Sequence, residues 1–120
     1  MATKTKDDLR ALLDTRAAQM GPITLSTGKK SNFYFDWKPV TLSSDVAHLV
    51  GDAFLDALKE LSEQPTAVGG LTHGADPIVS AMIIRAHERG RRLEGFYVRK
   101  EPKKHGTKRR IENQPPENTK

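Results

Sequence analysis

The segment from residue 66 to residue 98 constrains the fold of this 120-residue chain most strongly. A short apolar run at 66–71 leads into a loop at 69–76 with three glycines, Pro77 stands where a helix can begin, and a second apolar run follows at 93–98. This order predicts a parallel, right-handed strand–helix–strand unit, the start of an α/β sheet with flanking helices. Because two parallel strands cannot cover their own faces, we expect a sheet that is cut short or gains strands from elsewhere.

Two stretches with helical periodicity precede this unit. The first occupies roughly the first 20 residues and should end at Gly21; its apolar positions are Leu9, Leu12, Leu13, Ala17 and Met20. The second runs over residues 46–61 and is the more regular, with Ser43 or Ser44 as its predicted N-cap. Together they supply helices that can flank the sheet.

An aromatic strand lies between these two helices. A turn at 27–30 precedes a predicted strand at 32–37, which holds four of the seven aromatic residues in the chain. Alternation places Tyr34 on one face and three rings on the other: Phe33, Phe35 and Trp37. Such rings usually belong to a core, but here at least one must find another neighbour, either a flat heterocycle or a subunit partner.

Positive charge is concentrated at the end of the chain. Residues 1–98 hold twelve Lys/Arg and twelve Asp/Glu, whereas residues 99–120 hold eight and three, which accounts for the net charge of +5. The cations come directly after the second predicted strand: Arg99, Lys100, Lys103, Lys104 and His105, followed by Gly106. A basic run of this kind can be a solvated tail, or it can be a loop that closes over phosphate groups.

Ligands of an α/β sheet bind outside the carboxyl ends of its strands. The loops at 69–76 and 99–110 both follow such ends, so we expect them to face one crevice. A glycine-bearing loop that leads into a helix presents backbone N–H groups to anions, and phosphate or pyrophosphate is therefore the predicted ligand. The alternative is that the glycines and His73 have only a structural role in forming the turn.

Composition narrows the choice of protein class. The chain has no cysteine, so disulfides and thiolate metal sites are excluded, and a reducing, cytoplasmic location is expected. The sequence shows neither an apolar export signal nor a run of about 20 apolar residues, so no membrane partner is expected. Nucleic-acid binding through residues 103–110 is disfavoured, because no aromatic residue is interleaved with those cations.

Three motifs in order resemble the orotate phosphoribosyltransferase family. They are LSTGKKSNFYFD at 25–36, GLTHGADPI at 70–78, and Arg99-Lys100-x-x-Lys103-x-His105-Gly106. The resemblance runs from about residue 9 to residue 112, which is roughly the first half of a typical member. It implies a type I phosphoribosyltransferase-like α/β fold, a parallel sheet with flanking helices plus an N-terminal hood.

The resemblance also divides the chain and implies an activity. Residues 1–42 would form the N-terminal helix and hood, residues 43–98 the first part of the α/β core, and residues 99–120 a mobile basic loop and polar tail. The family makes orotidine 5′-monophosphate and pyrophosphate from orotate and 5-phosphoribosyl 1-pyrophosphate, with Mg²⁺, in pyrimidine biosynthesis. A homodimer is implied as well, with the basic loop reaching the neighbouring subunit.

Site residues follow from the same resemblance. Orotate would contact Lys30, Tyr34 and Phe35. The contacts to 5-phosphoribosyl 1-pyrophosphate would come from Arg99, Lys100, Lys103, His105, Thr72, His73 and Gly74. Lys103 and His105 would be the catalytic pair, with Lys103 stabilising the charge of the departing pyrophosphate. No protein side chain is assigned as a metal ligand.

The chain departs from the family pattern in three places. Many members have lysines where this chain has Ser26 and Gly74, so a pyrophosphate contact is lost at each. The family's acidic phosphoribose-binding loop has no counterpart before Lys120. We therefore expect a chain truncated before that loop, with little activity alone. The alternative is a non-catalytic phosphoribosyltransferase-like remnant or a regulatory or binding module that keeps the anion-binding loop.

Overall fold

A computed structural model describes residues 2–102, 104–106, 110–117 and 119, without the side chains of residues 2–5. The elements, in chain order, are α1 (Ala2–Leu12) with a π-helical turn (Leu13–Ala17), β1 (Ala18–Thr24), β2 (Lys30–Phe35), α2 (Lys38–Thr41), α3 (Ala47–Leu58), β3 (Ala67–Leu71), α4 (Asp76–Glu88), β4 (Glu94–Val98) and β5 (Ile111–Glu112). The predicted α/β class is confirmed.

The N-terminal strands form an antiparallel hairpin. β1 and β2 pair from Ala18 opposite Phe35 to Thr24 opposite Lys30, and the tight turn between them has Gly28 at φ +85°. The first helix is therefore shorter than predicted. Met20 is not on a helix; it pairs with Phe33 and is 79% exposed. Helical spacing cannot reveal a strand whose hydrogen bonds come from a partner strand distant in sequence.

The long helices α3 and α4 pack against each other. A Cβ on Gly51 of α3 would lie 2.5 Å from the carbonyl oxygen of Ala81 on α4, so the two backbones approach very closely there. The predicted serine cap of α3 is wrong. Val46 is the N-cap residue, and the Ser43 hydroxyl instead donates a short hydrogen bond to Asp45.

Two clusters of buried side chains hold the helices together. The first joins α1, α2 and α3 through Leu9, Ala17, Val40, Val46 and Val50. The second joins α3 and α4 to the segment before β4 through Leu55, Met82, Ala86 and Leu93. Apolar burial on one stripe of each helix is what the helical periodicity predicts.

The second sheet has the order β3-β4-β5. β3 and β4 are parallel and pair from Ala67 opposite Glu94 to Leu71 opposite Val98, as predicted. β5 was not predicted: it runs antiparallel to β4, with Val98 opposite Ile111. A two-residue strand in a polar stretch has no periodicity of its own, so only its pairing with β4 reveals it.

The described part of the chain contains no helix with both the length and the apolar composition needed to span a bilayer.

α4 begins at Asp76 with Pro77 in its first turn, where the sequence predicts it. Because β3 ends at Leu71, only four residues separate the strand from the helix. This short connection and the longer segment from β4 to β5 both emerge at the carboxyl ends of the parallel strands.

Candidate functional site

A cleft of about 1090 Å³ lies at the carboxyl ends of β3 and β4. Thr72, His73 and Asp76, which follow β3, line one side. The segment after β4 lines the other side with four cationic or imidazole side chains: Arg99, Lys100, Lys104 and His105. The two loops that the sequence predicts to face one crevice thus both line this cleft.

The connection after β3 is a tight turn. The Thr72 N–H donates to the Val98 carbonyl over 3.0 Å, which extends the parallel pairing by one residue. The Ala75 N–H donates to the Leu71 carbonyl over 3.0 Å and so closes the turn. Gly74 has no atom within 4 Å of the place where a Cβ would stand, so that position is open. The Thr72–His73 peptide bond is cis.

Two side chains of this turn meet at the carboxylate of Asp76. The Thr72 hydroxyl donates to Asp76 Oδ2 over 2.5 Å, and His73 Nδ1 lies 3.3 Å from the same oxygen. The other oxygen, Asp76 Oδ1, is buried and has no hydrogen-bond partner among the described residues. We call Thr72, His73 and Asp76 the turn cluster.

The base of the basic segment is held by main-chain and guanidinium hydrogen bonds. The Arg99 N–H donates to the Arg110 carbonyl over 2.6 Å. The Arg110 guanidinium donates in turn to the carbonyls of Arg99 and Lys100, over 3.3 and 2.9 Å. The Arg99 guanidinium lies 3.7 Å from Glu112 of β5. β5 and Arg110 thus set where Arg99 and Lys100 leave the sheet.

Most of the residues predicted to bind 5-phosphoribosyl 1-pyrophosphate lie on this cleft. Thr72, His73, Arg99, Lys100 and His105 all line it. Gly74 sits in the same turn but is not among the lining residues. Lys103 lies outside the described residues. The roles assigned to all seven residues stay predictions.

The residues predicted to contact orotate are placed elsewhere. Lys30, Tyr34 and Phe35 lie on β2, in the other sheet, and do not line the cleft. Phe35 packs between two rings, with centroids 6.2 Å from Phe33 and 5.7 Å from Trp37. Only Phe33 and Phe35 share a strand face by alternation: β2 ends at Phe35, two residues before the predicted end, and Trp37 is the N-cap residue of α2. Lys30 and Tyr34 are exposed.

The sequence analysis assigned no role to several residues that line the cleft, among them Asp76, Tyr97 and Glu112. Asp76 belongs to a motif quoted above, but nothing in the sequence shows that its carboxylate turns back to Thr72 and His73. Tyr97 is the fourth residue of β4; its hydroxyl lies 3.3 Å from Ser80 Oγ on α4. Glu112 reaches the cleft only because β5 pairs with β4. Alternation along β4 could have indicated Tyr97, whereas the other two depend on tertiary contacts.

Known proteins resemble this chain in sequence and in fold. No family model matches the chain. An orotate phosphoribosyltransferase of Streptomyces avermitilis is 44% identical over 110 residues, which cover 88% of this chain and 59% of that relative. A solved orotate phosphoribosyltransferase of Mycobacterium tuberculosis, in complex with Fe(III) dicitrate, superimposes with a TM-score of 0.70 at 33% identity, covering 90% of this chain and 59% of the other.

A second solved structure of the M. tuberculosis enzyme contains 5-phospho-alpha-D-ribosyl 1-diphosphate; it gives a TM-score of 0.62 at 30% identity and covers 80% of this chain and 54% of the other. The fold of the chain is thus similar to the first part of the α/β domain of these phosphoribosyltransferases. Within that class, its sequence and structure match the N-terminal portion of orotate phosphoribosyltransferases. The chain spans less than two thirds of the length of these relatives.

Proposed function

We propose that this chain supplies the first part of an orotate phosphoribosyltransferase and binds the diphosphate of 5-phosphoribosyl 1-pyrophosphate in the cleft. One observation carries the proposal: a tight strand-to-helix turn and a cation-bearing segment line the same cleft at the carboxyl ends of two parallel strands. The N–H groups of His73 and Gly74 are left to face an anion, because the other N–H groups of the turn donate within the protein. The opposite side of the cleft offers positive charge. The solved relative that contains the phosphoribosyl diphosphate supports the same ligand.

The proposed reaction forms orotidine 5′-monophosphate in pyrimidine biosynthesis. The bond between the ribosyl carbon and the pyrophosphate oxygen breaks, its electron pair leaves with pyrophosphate, and a ring nitrogen of orotate bonds to that carbon. Negative charge therefore grows on the leaving group, and cations fixed beside it lower the barrier. We assign this stabilisation to Arg99, Lys100 and His105, together with Lys103. We assign the binding of the diphosphate to His73 and Gly74; Thr72 holds the turn around it, since its N–H and hydroxyl already donate to Val98 and Asp76.

We place orotate against Lys30 and Tyr34, which alternation puts on one face of β2. Phe35, the third predicted contact, lies on the opposite face and packs against the first buried cluster. Two observations support a surface role for this strand: Tyr34 is 37% exposed and Phe33 is 49% exposed, more than rings in a closed core. We also propose that the working unit is a homodimer and that it acts in the cytoplasm.

Mg²⁺ is proposed to accompany the diphosphate rather than to occupy a site of its own. Among the described residues, no group of three or more His, Cys, Asp or Glu side chains is placed to hold a metal ion. Asp76 Oδ1 is buried, and Asp76 Oδ2 already accepts a hydrogen bond from Thr72. Mg²⁺ is commonly bound through substrate phosphates and water with few protein ligands. The metal would then neutralise diphosphate charge while the protein binds the complex.

Isothermal titration of the chain with Mg²⁺-pyrophosphate, followed by an orotate consumption assay, tests the proposal. The variant Lys100→Ala removes an exposed cation from the cleft and should weaken pyrophosphate binding about tenfold, the worth of one charge-assisted contact. Lys6→Ala removes an exposed cation from α1, away from the cleft, and should leave binding unchanged.

Two other outcomes lead to different conclusions. Pyrophosphate binding without formation of orotidine 5′-monophosphate would favour the non-catalytic binding module over the enzyme. Failure of the unmodified chain to bind pyrophosphate or 5-phosphoribosyl 1-pyrophosphate would refute the cleft as a diphosphate site. An equal loss of affinity in Lys100→Ala and Lys6→Ala would mean that only net charge matters.

A further inference from the structure

We propose that Asp76 is a positioning residue for the diphosphate: its carboxylate holds Nδ1 of His73, so that the opposite ring nitrogen, Nε2, is left to donate to a phosphate oxygen. This inference rests on the proposed function of the cleft. It begins with the turn cluster, in which Asp76 Oδ2 lies 2.5 Å from the Thr72 hydroxyl and 3.3 Å from His73 Nδ1.

The Asp76 carboxylate does not serve the helix that it begins. α4 has Ala75 as its N-cap residue, with no hydrogen bond from a side chain to the first turn. An acidic side chain at this position often accepts from backbone N–H groups, but Asp76 accepts from the Thr72 side chain instead. Its second oxygen stays buried without a partner among the described residues, an arrangement that does not favour stability. Helix capping therefore does not explain the geometry.

His73 is left as the side-chain donor of the turn. Thr72 already donates its single hydroxyl proton to Asp76, so only its lone pairs remain. Gly74 and Ala75 have no polar side chain, and the Asp76 carboxylate can only accept. His73 lines the cleft with 97% of its side chain exposed, so Nε2 is accessible to a ligand.

The hydrogen bond to Asp76 determines what Nε2 can do. A neutral ring that donates through Nδ1 to Asp76 has a bare Nε2, so binding of the anion requires uptake of one proton from solvent at Nε2. The resulting imidazolium donates through Nδ1 to Asp76 and through Nε2 to a phosphate oxygen. Without the carboxylate, only the Thr72 hydroxyl, 3.3 Å from His73 Nδ1, stays beside this exposed ring, and that hydroxyl has itself lost the acceptor that fixes it. The ring must then be ordered when the ligand binds. Asp76 thus reduces the conformational entropy that the His73 ring loses when the ligand binds.

Simple electrostatics makes the opposite prediction, which gives the proposal a sharp test. Asp76 is a negative charge beside a site for an anion, so its removal should tighten binding if charge alone mattered. If Asp76 positions His73, its removal should weaken binding. The control Glu101→Gln removes another carboxylate from the cleft lining, one with no hydrogen bond to His73, and should leave the affinity unchanged or increase it.

The experiment is isothermal titration of the whole chain and its variants with inorganic pyrophosphate and Mg²⁺. Asp76→Ala should weaken binding about tenfold, the lower end of the effect known for loss of the orienting partner of a metal-binding histidine. Asp76→Asn keeps an acceptor for the ring and should lose less. In a His73→Gln background, Asp76→Ala should cause no further loss, because the two residues act through one contact.

An NMR measurement separates this inference from the proposed function. Long-range proton–nitrogen spectra of the free chain should show the neutral His73 ring protonated at Nδ1, and protonated at Nε2 in Asp76→Ala. Tighter or unchanged pyrophosphate binding by Asp76→Ala, or a wild-type ring protonated at Nε2, would overturn the role of Asp76. Absence of pyrophosphate binding by the wild-type chain would instead overturn the proposed function, while the ring spectra still decide whether Asp76 holds His73.

Discussion

Replacing Asp52 with Asn should loosen the contact between α3 and α4. Asp52 is 8% exposed and accepts three hydrogen bonds across the helix interface. Its Oδ1 accepts from Arg85 Nε over 2.9 Å and from Arg89 Nη2 over 3.0 Å, and its Oδ2 accepts from Arg85 Nη2 over 3.0 Å. An asparagine has one acceptor oxygen and no charge, and its amide would place a donor against a donor of Arg85.

The expected cost is about 2 kcal/mol in the free energy of unfolding. Breaking a fully buried ion pair costs about 3–5 kcal/mol. The side chains of Arg85 and Arg89 are 31% and 36% exposed, so water replaces part of what they lose. For a chain of this size, about 2 kcal/mol lowers the melting temperature by about 10 °C.

Acid should reduce the difference between the two proteins. Burial raises the pKa of Asp52, but the hydrogen bonds from Arg85 and Arg89 outweigh burial, so its pKa lies below the ordinary value of 3.8. A carboxyl group with a lowered pKa in the folded state contributes stability above its ordinary pKa and loses that contribution as the pH falls through the folded value. Asp52→Asn lacks this contribution, so the gap in stability should shrink below about pH 4.

Thermal and urea unfolding followed by circular dichroism, at neutral pH and at acid pH, measure these effects. Asp56→Asn is the matched control: Asp56 is the neighbouring carboxylate on α3, but it accepts one hydrogen bond from Arg89, over 3.0 Å, and should cost about half as much. Asp52→Asn melting within about 2 °C of the wild type would refute the argument, since that corresponds to well under 1 kcal/mol. A larger loss in Asp56→Asn would refute it as well.

Two further predictions concern other contacts. Gly51→Ala should destabilise the chain by about 1 kcal/mol. Overpacking against the Ala81 carbonyl costs about 1–3 kcal/mol, which exceeds the gain of about 1 kcal/mol in helix propensity. A urea titration in which the variant is more stable than the wild type would contradict this. Asp45 should titrate near pH 2, because hydrogen bonds from the side chains of Arg16 and Ser43 lower its pKa to about 2. Carbon-detected NMR should show this midpoint, and Arg16→Gln should move it upward; an unchanged midpoint would exclude the ion pair in solution.

Much of the architecture could be predicted because its signals are local. Apolar spacing indicated α3, Pro77 indicated where α4 begins, and two apolar runs indicated the parallel pair β3 and β4. The cleft followed from a general rule about where loops leave a parallel sheet. These inferences needed only periodicity and chain order, both of which can be read from the sequence.

The mistaken and missing elements depend on partners distant in sequence. Residues 18–20 carry helical spacing but pair as β1 with β2. β5 has two residues and exists only through β4. In both cases the hydrogen bonds of a partner strand outweigh the local preference.

The sequence by itself determined the strand–helix–strand unit, the turn before the aromatic strand and the position of the basic segment. Each of these features depends on residues that are close together in the chain. Only the tertiary structure decided that Asp76 turns to Thr72 and His73 rather than to its own helix, and that Arg110 and Glu112 return to the base of the basic segment. These contacts depend on side-chain direction and on strand pairing in three dimensions, which neither composition nor spacing specifies.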